Sequence, residues 1–513
     1  MLKDEYDGIF EIKDSEHIDL GKLSTTWRLF VVTDDGPSLK EAMESPERKM
    51  WLKAIFTEIK ENLSRGTFKF TPLGEEAHGH LIDFIAAYLN GKLKEDIYMK
   101  QFPMLKEYFD TYPEDKEAYR FSPEKVIKLI NPLYGLKQAG AAWQERVREI
   151  LAKQGFYPLI SDDTIYFNPK TGCIIASYVD DFLLFGANRQ YLKSVAKEIA
   201  EDVPIKDLGD ADWYLGVRIV RSSSTGDVRL DQQQYIEKSL KSVGLDTIRK
   251  EPTPFVKDHL KHAVRHNGEA SKEDTFEYAS LVGKFNFSSC ISRPDTAFAT
   301  STWARFMSNP SPRHQECIKR LPRYLNGTAD LSLRYRKLER DHPHQKYNNL
   351  GLFGAVDTSF ADDSESAKST TGCVFFMAGA PVSWFSKLQG VVTRCTTEAE
   401  YVGAGTAAAE AAGIRNFLTE LGLMPEGPIP ILEDNTGALK WVKETQMSRR
   451  KRHIRVEYHY VRQEVQAGNI SFEYVESKDN PADGLTKPLD RADFERFIQN
   501  LGLEKIQDKS KGT

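Results

Sequence analysis

Apolar positions recur with two different periods along this 513-residue chain, and their alternation is the first guide to its architecture. Near the start, "MWLKAIFTEIKENL" (50–63) spaces its apolar residues as one face of a helix. From Leu81 to about Gly244, strand-like runs such as "CIIASYV", "FLLFG" and "WYLGVRIVR" alternate with helical ones such as "AAWQERVREILAKQGF", "YLKSVAKEIAED" and "QYIEKSLKSVG". That mixture predicts an α+β unit, with helices packed on an antiparallel sheet. "TPFVKDHLKHAVRHNGEASKED" (253–274) is polar and reads as a linker, and Tyr278–Arg336 is more helical. After a second polar stretch, a further block reads as three strands ("LGLFGAV", "GCVFFMAG", "APVSWFSK") and then a long helix ("TEAEYVGAGTAAAEAAGIRNFLTEL"). It continues as strand ("PIPILED"), helix ("TGALKWVKET"), strand ("ISFEYV") and a final helix opening at "NPADGLTK".

Composition narrows the class. With 40% hydrophobic and 28% charged residues the chain is globular, and its length allows several domain-sized cores. A net charge of −5 excludes a uniformly basic nucleic-acid binder, so any such partner must be gripped locally. The five cysteines are scattered without a CxxC pair, which argues against a zinc knuckle. An odd cysteine count without an apolar leader, and no run long enough to span a membrane, lead us to expect an intracellular, non-secreted protein.

One apolar run is interrupted by charge. "IIASYVDDFLLFG" (174–186) sets Asp180 and Asp181 between two strand formers, at the tip of a β-hairpin. Either the pair is a turn, which Asp favours, or it is part of a divalent-metal site, where Mg²⁺ would offset the charge and bring substrate phosphates with it. The second reading needs a further carboxylate from elsewhere, and Asp83, embedded in "HLIDFIAAYL", supplies it.

"LIDFIAAYLNGKLKEDIYMKQF", "NPLYGLKQAGAAW" and "SYVDDFLLFG", in that order, resemble the palm of a copia-type (Pseudoviridae) retrotransposon reverse transcriptase. "LGDADWYLGVRI" and "YASLVGKFNFSSCISRPDTAFA" match the same family downstream. The last block resembles the family's ribonuclease H domain through "AVDTSFADD", "STTGCVFFMAGAPVSWFSK", "TTEAEY", "EDNTGAL" and "NPADGLTKPL". The resemblance runs from about Glu41 to Leu489. It implies an α+β fold: a palm of antiparallel sheet with helices, followed by a ribonuclease H-like α/β domain with a mixed five-stranded sheet. The implied layout is a remnant of the fingers region over 1–79, the palm over 80–250 and a thumb or connection region over 251–345. The ribonuclease H-like domain would then occupy 346–495 and a tail 496–513.

By this resemblance Asp83, Asp180 and Asp181 hold two Mg²⁺ ions roughly 3.5–4 Å apart, with Mn²⁺ as the alternative metal. Asp83 and Asp180 would be direct ligands and Asp181 a weaker contributor. Tyr134, Gly135, Lys137 and Gln138 of "LYGLKQ" would floor the nucleotide pocket; a simple strand-to-helix turn around Gly135 is the competing reading. In the last block Asp357, Asp434, Asp483 and one helical glutamate would hold two more ions. Glu398 and Glu400 point about 200° apart on a helix, so only one can face the site. Glu400 shares its face with Ala404, Ala407, Ala408 and Ala411, a stripe suited to close packing on a sheet, and is our choice. Asn480 as N-cap and Pro481 as first helical residue would put Asp483 in a first turn, where the helix dipole alone also favours a carboxylate.

"SRRKRHIRVEYHYVR" (448–462) is the densest basic run, and either a solvated face or a phosphate grip on an RNA–DNA hybrid accounts for Arg449, Arg450, Lys451 and Arg452. Its histidines, His453 and His459, are left outside the catalytic set. Two features depart from the family. The chain passes from "TPLGEEAHG" directly into "HLIDFIAAYL", without the family's "KWVFK"- and "RYKARLVAKG"-type motifs, whose basic residues clamp the incoming triphosphate. Pro322 also falls where the family continues a helix, at a cost of about 3 kcal/mol. The expectation is therefore an RNA-directed DNA polymerase with ribonuclease H activity, its polymerase impaired. Its partners would be an RNA template, a DNA primer, dNTPs, the RNA–DNA hybrid and other polyprotein products, in a cytoplasmic virus-like particle or the nucleus. An inactive relic, a non-enzymatic hybrid-binding protein and a ribonuclease H alone are the alternatives.

Overall fold

Strands on either side of the paired aspartates form the middle of a six-stranded antiparallel sheet in the computed structural model. That model describes residues 78–506 except 102, 112, 115–121, 123–125, 223–224 and 445–453. β1 (His78–Phe84) lies between β7 (Asp181–Gly186) and β8 (Ile205–Asp210); β6 (Cys173–Tyr178), β5 (Ile165–Asn168) and β4 (Tyr157–Pro158) follow beyond β7. A small ribbon of β2 (Ile97–Met99) and β3 (Ile127–Leu129) stands apart. Side chains alternate between the two faces of a strand. Ile82, Phe182 and Leu184 accordingly enter one core, with Trp143, Val147, Leu192 and Ile199 from the helices Ala139–Lys153 and Arg189–Asp202. Leu81, Leu183 and Phe185 enter the other. Both faces are covered, which is why these strands read as continuous apolar runs. The expected N-terminal helix around 50–63 and nearly all of the expected fingers remnant lie outside the described residues.

The second sheet is assembled from three distant parts of the chain. Its order is β18 (Leu503–Lys505), β12 (Leu331–Tyr335), β11 (Val228–Asp231), β10 (Val217–Arg221) and β9 (Trp213–Tyr214), antiparallel throughout. "WYLGVRIVR" is thus two strands, divided at Leu215 and Gly216, both left-handed with φ of 46° and 80°. The boundary expected at 495 falls inside the helix Arg491–Asn500, and the residues after it pair with β12.

The third sheet is mixed. β13 (Phe353–Ser359), β14 (Thr370–Met377) and β15 (Ala380–Leu388) run antiparallel in sequence, while β16 (Ile429–Glu433) and β17 (Ile470–Tyr474) run parallel to β13 on its other side. The order is β15-β14-β13-β16-β17. The helix Thr396–Glu420 buries its small residues, Ala404, Ala407, Ala408 and Ala411.

Three sequence expectations fail for identifiable reasons. The polar stretch 253–274 is no free linker. Phe255 stacks on Trp303 with ring centroids 5.2 Å apart, and Asn309 accepts the Ala270 N–H and donates to the Gly268 carbonyl, both at 2.9 Å. Phe255, Leu260 and Ala263 reach the core, too few and too unevenly spaced among charged residues to show as a period. Pro322 does no damage, because the helix Pro312–Ile318 stops and a new one, Arg320–Thr328, begins; Pro322 falls in its first turn, where no intrahelical N–H is required. "NPADGLTK" forms a 3₁₀ turn, Asp483–Leu485, and the helix follows only at Arg491, capped by Asp490. Asn480, the expected cap, is buried; its side chain accepts the Ala482 N–H at 3.0 Å and donates to the Val356 carbonyl at 2.9 Å, and Asp483 does fall in the first turn of the 3₁₀ segment.

A fully buried ion pair ties the helical region together. Arg293 donates to both Asp295 oxygens at 2.9 and 2.7 Å and to Thr328 at 2.7 and 2.8 Å, while Tyr324 donates to Asp295. Asp295→Ala is expected to lower the unfolding free energy by about 3–5 kcal/mol, because it strands a buried guanidinium. Urea titration followed by tryptophan fluorescence checks this.

Candidate active sites

The first carboxylate cluster is placed by strand register. Asp83 on β1 pairs directly with Asp181 on β7, and Asp180 sits in the two-residue turn closing the β6–β7 hairpin. The other turn residue, Val179, has φ of 51°, a left-handed conformation that strains a β-branched residue by about 1–3 kcal/mol. Its surroundings hold it there. The Trp143 indole donates to the Val179 carbonyl, and the Phe84 N–H donates to the Asp180 carbonyl at 2.7 Å. The Tyr214 hydroxyl donates to the Asp181 carbonyl at 3.3 Å. Phe84 meets Trp143 and Phe182 edge-on, at 5.0 and 4.6 Å between ring centroids. Tyr178 and Tyr214 are buried beside the pair; burial first, and the aspartate charges with it, push both phenols up and keep them protonated.

Tyr134, Gly135, Lys137 and Gln138 are exposed on the turn leading into the helix Ala139–Lys153, and Gly135 is left-handed with φ of 94°. Tyr134 packs against Tyr88 at 4.7 Å, and Gln138 donates to Glu95 at 3.3 Å. Sequence reasoning had not singled out Tyr88 or Trp143.

The second cluster closes more tightly. Among the described residues, one group of three carboxylates has oxygens that all lie within 4.8 Å of one another: Asp357 on β13, Glu400 on the long helix and Asp434 after β16. Asp83, Asp180 and Asp181 do not gather in this way. Gly403 lets the helix come close, since a Cβ there would lie 2.5 Å from the Thr358 hydroxyl. Thr486 donates to Asp357, and Ser477 to Asp434. Glu398, two residues earlier on the same helix, instead accepts the Arg394 N–H at 3.2 Å. Asp483 stands at the rim, ion-paired with Lys487.

Burial governs the electrostatics here. It pushes the Asp357 carboxyl up to about 7, with Lys487 and Thr486 opposing and Asp483 and Asp434 adding to the rise. Burial, then the charges of Glu433, Asp357 and Asp434, pushes Glu400 up to about 11. Glu433 is fully buried and driven in the same direction, first by burial. Lys487 is held charged: burial works against it, but Asp357, Asp483 and Asp434 outweigh that. One oxygen each of Glu400 and Glu433 is buried without a hydrogen-bond partner. An all-oxygen donor set whose members favour the neutral acid, with orphaned oxygens, suits a hard divalent cation that displaces protons. Glu433 escaped sequence reasoning because only its neighbour Asp434 occupies the expected position at the strand end.

Arg449, Arg450, Lys451 and Arg452 lie outside the described residues. The described end of that basic run packs inward. His459 bonds Tyr401 at 2.9 Å, and the buried Arg462 donates to the Glu444 carbonyl at 2.7 Å.

Residues 72–257 match the family model for reverse transcriptase (RNA-dependent DNA polymerase). The Pol polyprotein from transposon TNT 1-94 of Nicotiana tabacum is 31% identical over 434 residues, covering 82% of this chain and 30% of that polyprotein. That from transposon RE1 of Arabidopsis thaliana is 31% identical over 427 residues, 83% of this chain and 27% of that polyprotein. A transposon Ty5-1 protein of Saccharomyces cerevisiae is 32% identical over 326 residues, 63% of this chain and 98% of that protein. Among solved structures, prototype foamy virus protease–reverse transcriptase aligns over 80% of this chain and 67% of its own at 10% identity; its TM-score of 0.21 is too low to argue from. The paired aspartates thus fall within a region of reverse-transcriptase type. The chain belongs to the Pol polyproteins of copia-type retrotransposons, and spans under a third of the two plant members.

A carboxyl whose folded pKa is raised contributes stability that is fully present below its unfolded value and lost as pH rises through the folded one. For Asp357 that window runs from 3.8 to about 7. In EDTA the melting temperature is expected to fall across it; Asp357→Asn should flatten the fall and saturating Mg²⁺ should offset it. Scanning calorimetry at a series of pH values reads all three.

Proposed function

We propose that the six-stranded sheet is the palm of an RNA-directed DNA polymerase and that the mixed sheet is a ribonuclease H domain. The observation that supports this best is that each sheet brings carboxylates from separate elements together at strand ends: Asp83 beside Asp181, and Asp357 with Glu400 and Asp434. In the first site Asp83, Asp180 and Asp181 would hold the metal; in the second Asp357, Glu400, Asp434 and Asp483 would do so. Bound Mg²⁺ or Mn²⁺ would acidify the attacking hydroxyl or water and take up charge on the transferring phosphoryl group.

The chain's own residues prepare each site. In the first, Trp143 and Phe84 fix the turn so that Asp180 is presented without further reorganisation. Tyr134, Gly135, Lys137 and Gln138, open to solvent beside Tyr88, would receive the dNTP paired to an RNA template at a DNA primer end. In the second, Thr486 orients Asp357, and Ser477 orients Asp434, toward the RNA strand of a hybrid. Arg449, Arg450, Lys451 and Arg452 would grip its phosphates. Association with other polyprotein products and an intracellular site, cytoplasmic or nuclear, belong to the same reading. The described residues include no helix long and apolar enough to cross a membrane.

A second reading, hybrid cleavage without polymerisation, is favoured by one observation: only the mixed-sheet trio gathers its oxygens among the described residues. A single experiment separates the two. With labelled primer on an RNA template, Mg²⁺ and dNTPs, Asp83→Asn and Asp180→Asn should each reduce primer extension by on the order of 10²-fold or more and spare hybrid cleavage. Asp357→Asn and Asp434→Asn should do the reverse. Wild-type protein that is folded and cleaves hybrid but never extends a primer establishes the second reading. Full extension by Asp83→Asn rejects the palm assignment.

A further inference from the structure

Asp483 and Lys487 form an ion pair at the rim of the second cluster. Three carboxylates, Asp357, Glu400 and Asp434, gather within 4.8 Å of one another, but Asp483 is not among them. Its carboxylate is turned to the Lys487 ammonium. The two residues belong to the segment after β17 that folds back against β13 and β14. Asn480 ties it to Val356, Thr486 ties it to Asp357, and a Cβ on Gly372 would lie 2.5 Å from Leu485. The backbone of this segment is therefore fixed on the site. Lys487 precedes Pro488, which disfavours a helical conformation at the lysine and so keeps the chain from running on as a helix. The lysine side chain is 45% exposed, against 19% for Asp483. The backbone that carries the acid is held on the site, and the ammonium meets it from the more exposed side.

We propose that Lys487 is a built-in counter-ion that competes with a divalent cation for Asp483. With the ammonium in place, the cluster offers a site made by Asp357, Glu400 and Asp434, and Asp483 is withheld. A second ion binds only when Lys487 releases Asp483 and swings to solvent. Lys487 is thus a positioning residue that sets the metal concentration at which the site fills. This rests on the metal-site reading above. It adds that the two ions enter at different concentrations, and that one side chain sets the gap. Removing the positive charge should therefore tighten the weaker step more than the tighter one, which feels Lys487 through Asp357, whereas removing Asp483 should abolish the weaker step. A purely structural ion pair would show neither effect.

The test is Mn²⁺ binding to the full chain, read by the electron paramagnetic resonance of free Mn²⁺, in an Asp180→Asn background that suppresses binding at the other cluster. Two steps are expected. Lys487→Met should tighten the weaker by about tenfold, the scale of one partly solvated charge a few ångströms away, and move the tighter in the same direction by clearly less. Lys487→Arg, which keeps the charge, should stay near the parent, and Asp483→Asn should lose the weaker step. Melting in EDTA adds a second readout: Lys487→Met should melt below the parent and regain more on adding Mn²⁺. An unmoved or weakened second step in Lys487→Met, with Lys487→Arg unchanged, overturns the proposal. If Asp434→Asn leaves both steps as in the parent, the ions are not at this cluster, and the underlying metal-site reading fails with it.

Discussion

Acidic side chains crowded into a low-dielectric setting are the constraint around which this chain is built. An isolated buried carboxylate gives up its charge rather than remain unpaired. Here Asp357, Glu400 and Glu433 are buried together, and the surrounding structure does the work of keeping them so. The glycine that lets the long helix approach β13, the threonine and serine that fix the acids, and the lysine at the rim all answer that one requirement. The arrangement stores unfavourable electrostatics that a cation would relieve. It is a case of stability given up locally for a site.

The six-stranded sheet meets a related demand by another route. Its aspartates are half-buried, and the strain is carried by the backbone of Val179. A left-handed valine persists only where its neighbours over-determine it. Trp143, reaching over from a helix, and Phe84, from the adjacent strand, do so by bonding both carbonyls of the turn. The placement of the aspartate pair is thus set by Trp143 and Phe84, which act on the turn backbone and not on the carboxylates.

Much of this was legible in the sequence. Alternating and continuous apolar runs marked β6, β7, β13, β14 and β15, because strands buried on both faces must be apolar throughout. The alanine stripe identified the face of the long helix on which Glu400 lies, and the structure brings Glu400 to Asp357 and Asp434. What escaped was whatever depends on contacts distant in sequence. Phe255 lies in a largely polar stretch, and no local pattern reveals its stacking partner, Trp303. Pro322 looked disruptive because helix boundaries are set by caps and packing, and a break at Lys319 turns the same residue into a helix opener. Glu433 and Lys487 carry no signal beyond their charge; only their positions give them meaning. The short β18 has three residues and no periodicity to detect.

That last strand has a consequence for the making of the protein. β12 is synthesised well before its partner, and the whole mixed-sheet unit must be translated before Leu503 can pair with Leu333. Until then β12 presents an unpaired edge, the kind of surface that recruits strands from other chains. The middle sheet is therefore completed late in synthesis. β18 is one of several ties along that seam, where the Trp384 indole donates to the Ser289 carbonyl and the Tyr335 hydroxyl to the Pro381 carbonyl, and it is the last of them to be made.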